Sequence, residues 1–136
     1  MKRREFIKSS AAFCAGISVL SLAGCSPYRY VSSEFESGML KVKKTDFLED
    51  KWVVVRSEKA NAPILLSKNE NNTYTAVLML CTHKQCEIRP AGTILACPCH
   101  GAEFSFEGKV LKEPAEIDLQ IFQTSADESL IYINLK

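Results

Sequence analysis

The sequence predicts an all-β protein built from small antiparallel sheets that pack on one another. Short runs of β-branched and aromatic residues recur along the chain, with polar or glycine-containing turns between them. No segment keeps a helical period over about ten residues or more, so a parallel sheet with crossover helices is not expected. The length of 136 residues suits one such domain together with a targeting segment.

Nine segments of the chain are predicted to be strands. The clearest is the run Trp-Val-Val-Val-Arg at 52–56, because β-branched and aromatic side chains favour the pleated, half-buried surface of a sheet. Glu107 and Gly108 separate two of the segments and are typical of a tight hairpin turn. The predicted strands are residues 39–43, 52–56, 63–67, 74–80, 93–96, 103–106, 109–112, 119–123 and 130–135.

The distribution of charge argues against nucleic acid as a partner. The net charge is +1, but residues 1–24 carry four basic side chains and one acidic side chain, which gives +3. The rest of the chain has 13 basic and 15 acidic residues and a charge of −2. A weakly acidic body lacks the concentrated basic face that binds phosphates.

The first 24 residues have the features of an export signal. A basic start is followed by an apolar run at 11–24, which is shorter than the roughly 20 residues of a membrane-spanning helix and fits a signal peptide. Arg3 and Arg4, followed by Phe-Ile-Lys, resemble a twin-arginine signal, which exports folded proteins. The run ends Leu-Ala-Gly before Cys25, which resembles a bacterial lipoprotein box with Cys25 as the lipidated residue; an uncleaved short anchor helix is the alternative.

The chain is therefore expected to be exported and lipid-anchored at the periplasmic or outer cell-membrane surface. Residues 25–38 lack a sustained period and are predicted to be a lipid-anchored tether, and residues 39–136 form the body. A flexible tether of this length spans on the order of 20 Å root-mean-square and at most about 45 Å. The alternative is that the aromatic residues of this segment pack onto the body.

One window of the sequence collects four cysteines and both histidines of the chain. Thiolates and imidazoles gathered in this way indicate a metal site, a disulfide framework, or both. Spacing alone leaves open a zinc site of two cysteines and two histidines, or two plain disulfides, and it does not choose between Cys97 and Cys99 as a ligand. The residues of the window are Cys81, His83, Cys86, Cys97, Cys99 and His100.

The window reads Cys-Thr-His-Lys-Gln-Cys from Cys81 and Cys-Pro-Cys-His-Gly from Cys97, and it resembles the Rieske family. The resemblance extends over a following hairpin to the loop at Pro114 and Ala115, and it implies stacked small sheets with a cluster-binding subdomain at about 80–107. Two imidazoles in place of thiolates raise the reduction potential of such a cluster. The resemblance implies one [2Fe–2S] cluster, with one iron ligated by Cys81 and Cys97, the other by His83 and His100, and a disulfide between Cys86 and Cys99.

The sequence departs in three ways from the pattern of high-potential members of that family. Ala102 and Phe104 stand where a serine and a tyrosine usually donate hydrogen bonds to sulfur, and such bonds stabilise the reduced cluster. We therefore expect a potential below that of quinol-oxidising relatives. Lys84 and Gln85 stand where an apolar residue and a glycine usually form the tip that enters a quinol pocket. Lys84 suits an acidic partner, or it is a solvated surface lysine.

The sequence thus predicts a membrane-anchored one-electron carrier whose partner is a cytochrome or an oxidoreductase subunit. No constellation for bond-making catalysis is visible, so any enzymatic activity would belong to a larger assembly. The alternatives are a Rieske subunit of a quinol–cytochrome c oxidoreductase, a subunit of another exported redox enzyme, and a zinc-stabilised binding module. A cytosolic ring-dioxygenase ferredoxin is disfavoured, since those proteins lack the disulfide pair.

Overall fold

The computed structural model describes residues 28–47 and 50–136 of the chain. The predicted export signal at 1–24 and the predicted lipidation site Cys25 lie outside these ranges. Within them, one short 3₁₀ helix, Lys44–Phe47, accompanies the strands, and no helix is long and apolar enough to cross a membrane. The strands are β1 (Tyr30–Val31), β2 (Glu34–Glu36), β3 (Met39–Lys43), β4 (Trp52–Val55), β5 (Ile64–Lys68), β6 (Tyr74–Leu78), β7 (Arg89–Ala91), β8 (Ile94–Ala96), β9 (Glu103–Ser105), β10 (Val110–Lys112), β11 (Ile121–Phe122), β12 (Thr124–Ala126) and β13 (Leu130–Asn134).

The strands form three sheets, which confirms the predicted all-β class. The central sheet has the order β1-β4-β5-β6-β11, and the outer sheet has the order β12-β13-β3-β2. The third sheet, called here the cysteine sheet, has the order β10-β9-β8-β7. Neighbouring strands run antiparallel, except that β1 runs parallel to β4.

The central sheet is buried on both faces, and this explains the continuous apolar runs in its sequence. Val53 and Val55 join the apolar core shared with the outer sheet, whereas Val54 between them joins the core under the cysteine sheet. Strands β5 and β6 alternate in the same way, because successive side chains of a strand point to opposite faces. A sheet with two dry faces needs apolar residues at every position.

All nine predicted segments contain a strand, with ends that differ by at most two residues. The strands that were not predicted, β1, β2, β7 and β12, have two or three residues each, and β7 contains Pro90. Such short segments carry little intrinsic signal, since their strand conformation comes from pairing with neighbours distant in sequence.

The tether predicted over 25–38 is wrong for its described part, because residues 28–38 belong to the body. Tyr30 lies opposite Val54 in the central sheet, and β2 pairs with β3 in the outer sheet. Val31 is buried in the core, with 7% of its surface exposed. The alternative, in which the aromatic residues pack onto the body, describes this segment. The polar composition of this segment did not indicate strands, because its strands form only by backbone pairing with the folded sheets.

The loop between β12 and β13 is organised by one exposed carboxylate. Asp127 accepts hydrogen bonds from the Tyr132 hydroxyl at 2.6 Å and from the backbone N–H groups of Ser129 and Leu130 at 2.8 and 2.7 Å. The bond from Tyr132, followed by those from Leu130 and Ser129, lowers the pKa of Asp127 to about 2. The ionised form is therefore favoured by the folded state.

We predict that Asp127→Asn lowers the melting temperature at pH 7 and that this deficit shrinks as the pH falls from about 5 towards 2. A carboxylate whose pKa is depressed on folding stabilises the protein above its unfolded pKa of about 4, and this contribution is lost as it protonates. Thermal unfolding of the full chain across this pH range tests it, with Glu128→Gln as the neighbouring control. A deficit that is independent of pH would contradict the assignment.

Candidate metal centre

The first loop of the centre begins at Cys81, directly after the bridge between Leu80 and Glu87. The backbone N–H of Cys81 donates to the carbonyl of Cys86 at 2.8 Å, and the N–H of Gln85 donates to the carbonyl of Cys81 at 2.8 Å. These two bonds close residues 81–86 into a compact turn. Cys81 lies at its base, while His83 is exposed at its tip.

The second loop repeats the same pattern sixteen residues later. The N–H of Cys97 donates to the carbonyl of Ala102 at 2.8 Å, and the N–H of Gly101 donates to the carbonyl of Cys97 at 3.1 Å. In both loops the backbone of the first cysteine is hydrogen-bonded to the backbone of the residues four and five positions later. Two equivalent turns therefore present a cysteine at the base and a histidine further out.

The fifth residue of each loop has a left-handed backbone. The φ angle is 59° at Gln85 and 79° at Gly101. Glycine adopts this conformation without a steric cost, whereas a residue with a side chain is strained there by roughly 1 kcal/mol. Gln85 therefore occupies a position that the backbone prefers to fill with glycine.

A disulfide between Cys86 and Cys99 joins the two loops, with a Cα–Cα distance of 6.5 Å, and this confirms the predicted pairing. Among the described cysteines it leaves Cys81 and Cys97 as free thiols, exposed by only 2% and 3%. The sulfurs of Cys86, Cys97 and Cys99 lie within 4.8 Å of one another, so the disulfide borders the Cys97 thiol. Since Cys86 and Cys99 are bonded to each other, Cys97 is the thiol of this group that can bind a metal.

The two free thiols meet in the apolar core beneath the loops. Burial raises the pKa of the Cys81 thiol, and a side-chain hydrogen bond with Cys97 also raises it, against a lowering effect of the His83 backbone N–H. Both cysteines belong to the same buried cluster as Ala102 and Phe104, which are fully buried. The thiol side of the centre is therefore shielded from water.

The two histidines meet on the outside of the centre. The ring centroids of His83 and His100 are 5.0 Å apart with an interplanar angle of 86°, and both residues are exposed. The predicted site residues thus come together as one buried thiol pair and one exposed imidazole pair. This mixed sulfur and nitrogen donor set fits an iron–sulfur cluster with two kinds of ligand.

A loop from a distant part of the chain supports the first cysteine loop. The Thr82 hydroxyl donates to the carbonyl of Ile117 at 2.7 Å, and Ala115 is buried in the same apolar cluster as the two thiols. A cleft of about 450 Å³ lies beside His83 and is lined by Thr82, His83, Glu113, Pro114, Glu116 and Ile117. Sequence reasoning identified the Pro114 loop but missed the Thr82 bond, because its partners are 35 residues apart.

A family model for the Rieske [2Fe–2S] domain matches residues 30–123. This chain belongs to the Rieske family. Its resident cofactor is one [2Fe–2S] cluster, and the family match decides against the zinc site that the spacing had left open.

Curated relatives of this Rieske chain include iron–sulfur subunits of cytochrome b6-f complexes. The subunit from Chlorobaculum tepidum is 27% identical over 106 residues, which cover 76% of this chain and 50% of the relative. Subunit 3 from Nostoc sp. is 30% identical over 79 residues, covering 55% of this chain and 44% of the relative. This chain therefore spans about half the length of these relatives.

Solved structures include the plasma membrane Rieske protein PetC3 from the cyanobacterium Synechocystis PCC 6803. It is 30% identical, with a TM-score of 0.58 over 68% of this chain and 94% of PetC3. A complex of oxygenase and ferredoxin in carbazole 1,9a-dioxygenase matches with a TM-score of 0.56 at 24% identity, covering 74% of this chain and 96% of the matched chain. That second likeness supports the fold alone.

We predict that Gln85→Gly stabilises this Rieske protein by about 0.5–1 kcal/mol, because glycine relieves the left-handed strain in the first loop. Gly101→Ala is the matched control and should destabilise by about 1 kcal/mol. Apart from residue 101 and its two chain neighbours, no atom of the described residues lies within 4 Å of the added methyl carbon, so its cost is conformational and not a clash. Denaturant unfolding measures both, and a destabilising Gln85→Gly would show that contacts of the glutamine side chain outweigh the strain.

Proposed function

We propose that this protein is an exported, membrane-anchored one-electron carrier. The observation that carries the proposal is the pairing of two buried free thiols with two exposed imidazoles in one disulfide-linked centre. When bound, the [2Fe–2S] cluster takes up and returns one electron. The protein supplies the ligands, excludes water from the sulfur side and exposes the histidine side to partners.

Within this proposal, Cys81 and Cys97 ligate one iron, and His83 and His100 ligate the other. The burial of the two thiols supports their role, because a group bound by them would be shielded from water on its sulfur side. The bond between Cys99 and Cys86 supports Cys97 over Cys99 as the ligand. The electron enters or leaves at the imidazoles, since protein atoms cover the cysteines.

The partner is proposed to be a cytochrome or another redox protein subunit. The supporting observation is that relatives are named as subunits of cytochrome b6-f complexes. No side-chain constellation in the described residues beyond this centre suggests bond-making catalysis, so chemistry on a substrate would belong to the partner. The predicted export signal at 1–24 and the predicted lipidation site Cys25 support anchoring at the periplasmic or outer cell-membrane surface.

A fixed subunit of a quinol–cytochrome c oxidoreductase is the second candidate, and the same relatives favour it. The surface around His83 fits less well with an apolar quinol pocket. Lys84 is exposed beside His83, and the carboxylates of Glu113 and Glu116 line the adjoining cleft. Burying these charges without partners would be costly, so a polar docking surface suits them better.

Removing a proposed thiolate ligand should abolish the cluster. We expect the purified full chain, reduced with dithionite, to contain two irons and to give a rhombic paramagnetic resonance signal with an average g value below that of all-cysteine clusters. Cys81→Ser and Cys97→Ser should each lose both the iron and the paramagnetic resonance signal. Ala102→Ser adds the same hydroxyl to the same buried cluster and should keep the signal. Bound zinc in place of iron would refute the electron-transfer function.

Restoring a donor near the centre should raise the reduction potential. Ala102→Ser and Phe104→Tyr each introduce a hydroxyl into the apolar cluster that contains the buried thiols. A hydrogen bond that favours the reduced state by about 1 kcal/mol corresponds to an increase of about 40 mV. Phe106→Tyr is the matched control, because Phe106 packs on Trp52 with ring centroids 5.6 Å apart. Potentiometric titration measures the reduction potentials of these variants and of the unsubstituted protein. If the unsubstituted protein had the same potential as quinol-oxidising relatives, the low potential expected here would be contradicted.

A further inference from the structure

Two exposed aromatic residues of the N-terminal segment each contact a cation. Tyr30 and Phe35 are 39% and 45% exposed. The Arg56 guanidinium lies 4.9 Å from the Tyr30 ring centroid and donates to its hydroxyl at 3.2 Å, and the Lys59 ammonium lies 5.6 Å from the Phe35 ring centroid. Exposed rings with cations on their faces form an amphipathic surface.

These contacts converge on one turn of the chain. Arg56 and Lys59 flank Ser57, whose carbonyl and hydroxyl accept hydrogen bonds from the N–H groups of Ala60 and Lys59. The Tyr28 ring stacks edge-on against Tyr30 at 5.3 Å, and the two hydroxyls are 3.2 Å apart. We call this surface the anchor patch; its residues are Tyr28, Tyr30, Phe35, Arg56 and Lys59.

The anchor patch lies close to the proposed lipidation site. Three residues along the chain take Cys25 to Tyr28, and a segment of that length spans at most about 11 Å. Tyr28 is itself fastened to the body, because it packs against the apolar cluster that contains the two free thiols. If Cys25 carries the lipid, as the proposed function holds, the patch cannot move far from the bilayer.

We propose that the anchor patch lies against the lipid headgroups of the membrane that holds the anchor, so that the domain keeps one orientation instead of swinging on a tether. Tyrosine rings favour the membrane–water interface, and cations approach lipid phosphates there. Glu87 pairs with Arg56 at 3.5 Å, and Glu58 is exposed nearby, so the aromatic rings and the short connection contribute more than net charge.

This orientation also determines where partners meet the centre. Arg56 links the patch to Glu87, which directly follows Cys86 of the inter-loop disulfide. Cys81 and Tyr28 also pack in the same apolar cluster, so the first cysteine loop stays at a constant height above the bilayer while the patch is bound. A partner must reach the exposed histidines at that height, which suits a protein held at the same membrane.

Acetylation of lysines, read by mass spectrometry, tests the orientation on the lipidated full chain in phosphatidylcholine vesicles. Lys59 belongs to the patch, whereas Lys68 lies at the opposite end of β4 and β5, since Val55 pairs with Ile64 and Trp52 pairs with Ser67. We expect Lys59 to react about fivefold more slowly relative to Lys68 than in a variant with a spacer of about ten glycine and serine residues inserted after Ser26.

Matched substitutions separate the patch from the anchor. Combining Tyr30→Ser with Phe35→Ser should abolish the protection of Lys59 while leaving the acyl group and the paramagnetic resonance signal intact. Ile121→Ser is the control, because Ile121 is 52% exposed on β11, the opposite edge of the central sheet from β1, and it should keep the protection.

Equal reactivity of Lys59 in the native-length and spacer proteins would overturn the proposal. So would protection that rises with protein concentration, which would indicate a second protein on the patch. An absent acyl mass on Cys25 would remove the anchor and overturn the inference with it. An acylated, Lys59-protected protein without the Rieske signal would refute the electron-carrier function alone and support the orientation.

Discussion

Val54, Leu65 and Val77, on one face of the central sheet, pack against an apolar layer that contains the two free thiols of the centre. The same layer closes the protein core and positions Cys81 and Cys97. Because interiors are close-packed, a shift in this layer would move the thiols together with the strands beneath them. The opposite face of the central sheet packs on the outer sheet. The apolar layer therefore packs on a sheet that is buried on both faces. Site geometry and fold stability therefore depend on one set of contacts.

The two cysteine loops have the same backbone construction. Each uses a pair of backbone hydrogen bonds to place a thiol inward and an imidazole outward, and each needs a left-handed residue to close. The disulfide then joins the loops across a separation of 13 residues, which lowers the entropy of the unfolded chain. The result is a polarised centre, buried on its sulfur side and open at His83 and His100. This polarity leaves the imidazole pair as the exposed side of the centre.

The N-terminal segment changes the relation between the proposed anchor and the domain. A tether of 14 residues would have let the domain sample many orientations. Strand β1 at the edge of the central sheet and β2 at the edge of the outer sheet remove that freedom for the described part of the segment. Short edge strands are also a common way to cover a sheet edge. The same residues thus finish two sheets and leave Tyr30 and Phe35 on the surface.

The sequence by itself determined the all-β class, the positions of the longer strands and the residue types of the centre. These features are local. Strand β4 is visible as a run of valines, and the spacing of the cysteines and histidines can be recognised without knowing which residues they contact. Ala102 and Phe104 were likewise identified from the pattern, although their full burial was not.

Only the tertiary structure decided the features that depend on distant neighbours. Strands β1 and β2 exist because β4 and β3 supply backbone partners, and the Thr82 bond exists because residue 117 returns to the first loop. Spacing could not choose between Cys97 and Cys99, whereas the fold brings Cys99 to Cys86 and leaves Cys97 facing Cys81. The family pattern usually has a glycine at the position of Gln85, but the left-handed backbone itself was seen only in the loop that closes on Cys81. Each of these depends on pairing in space, which a linear pattern does not encode.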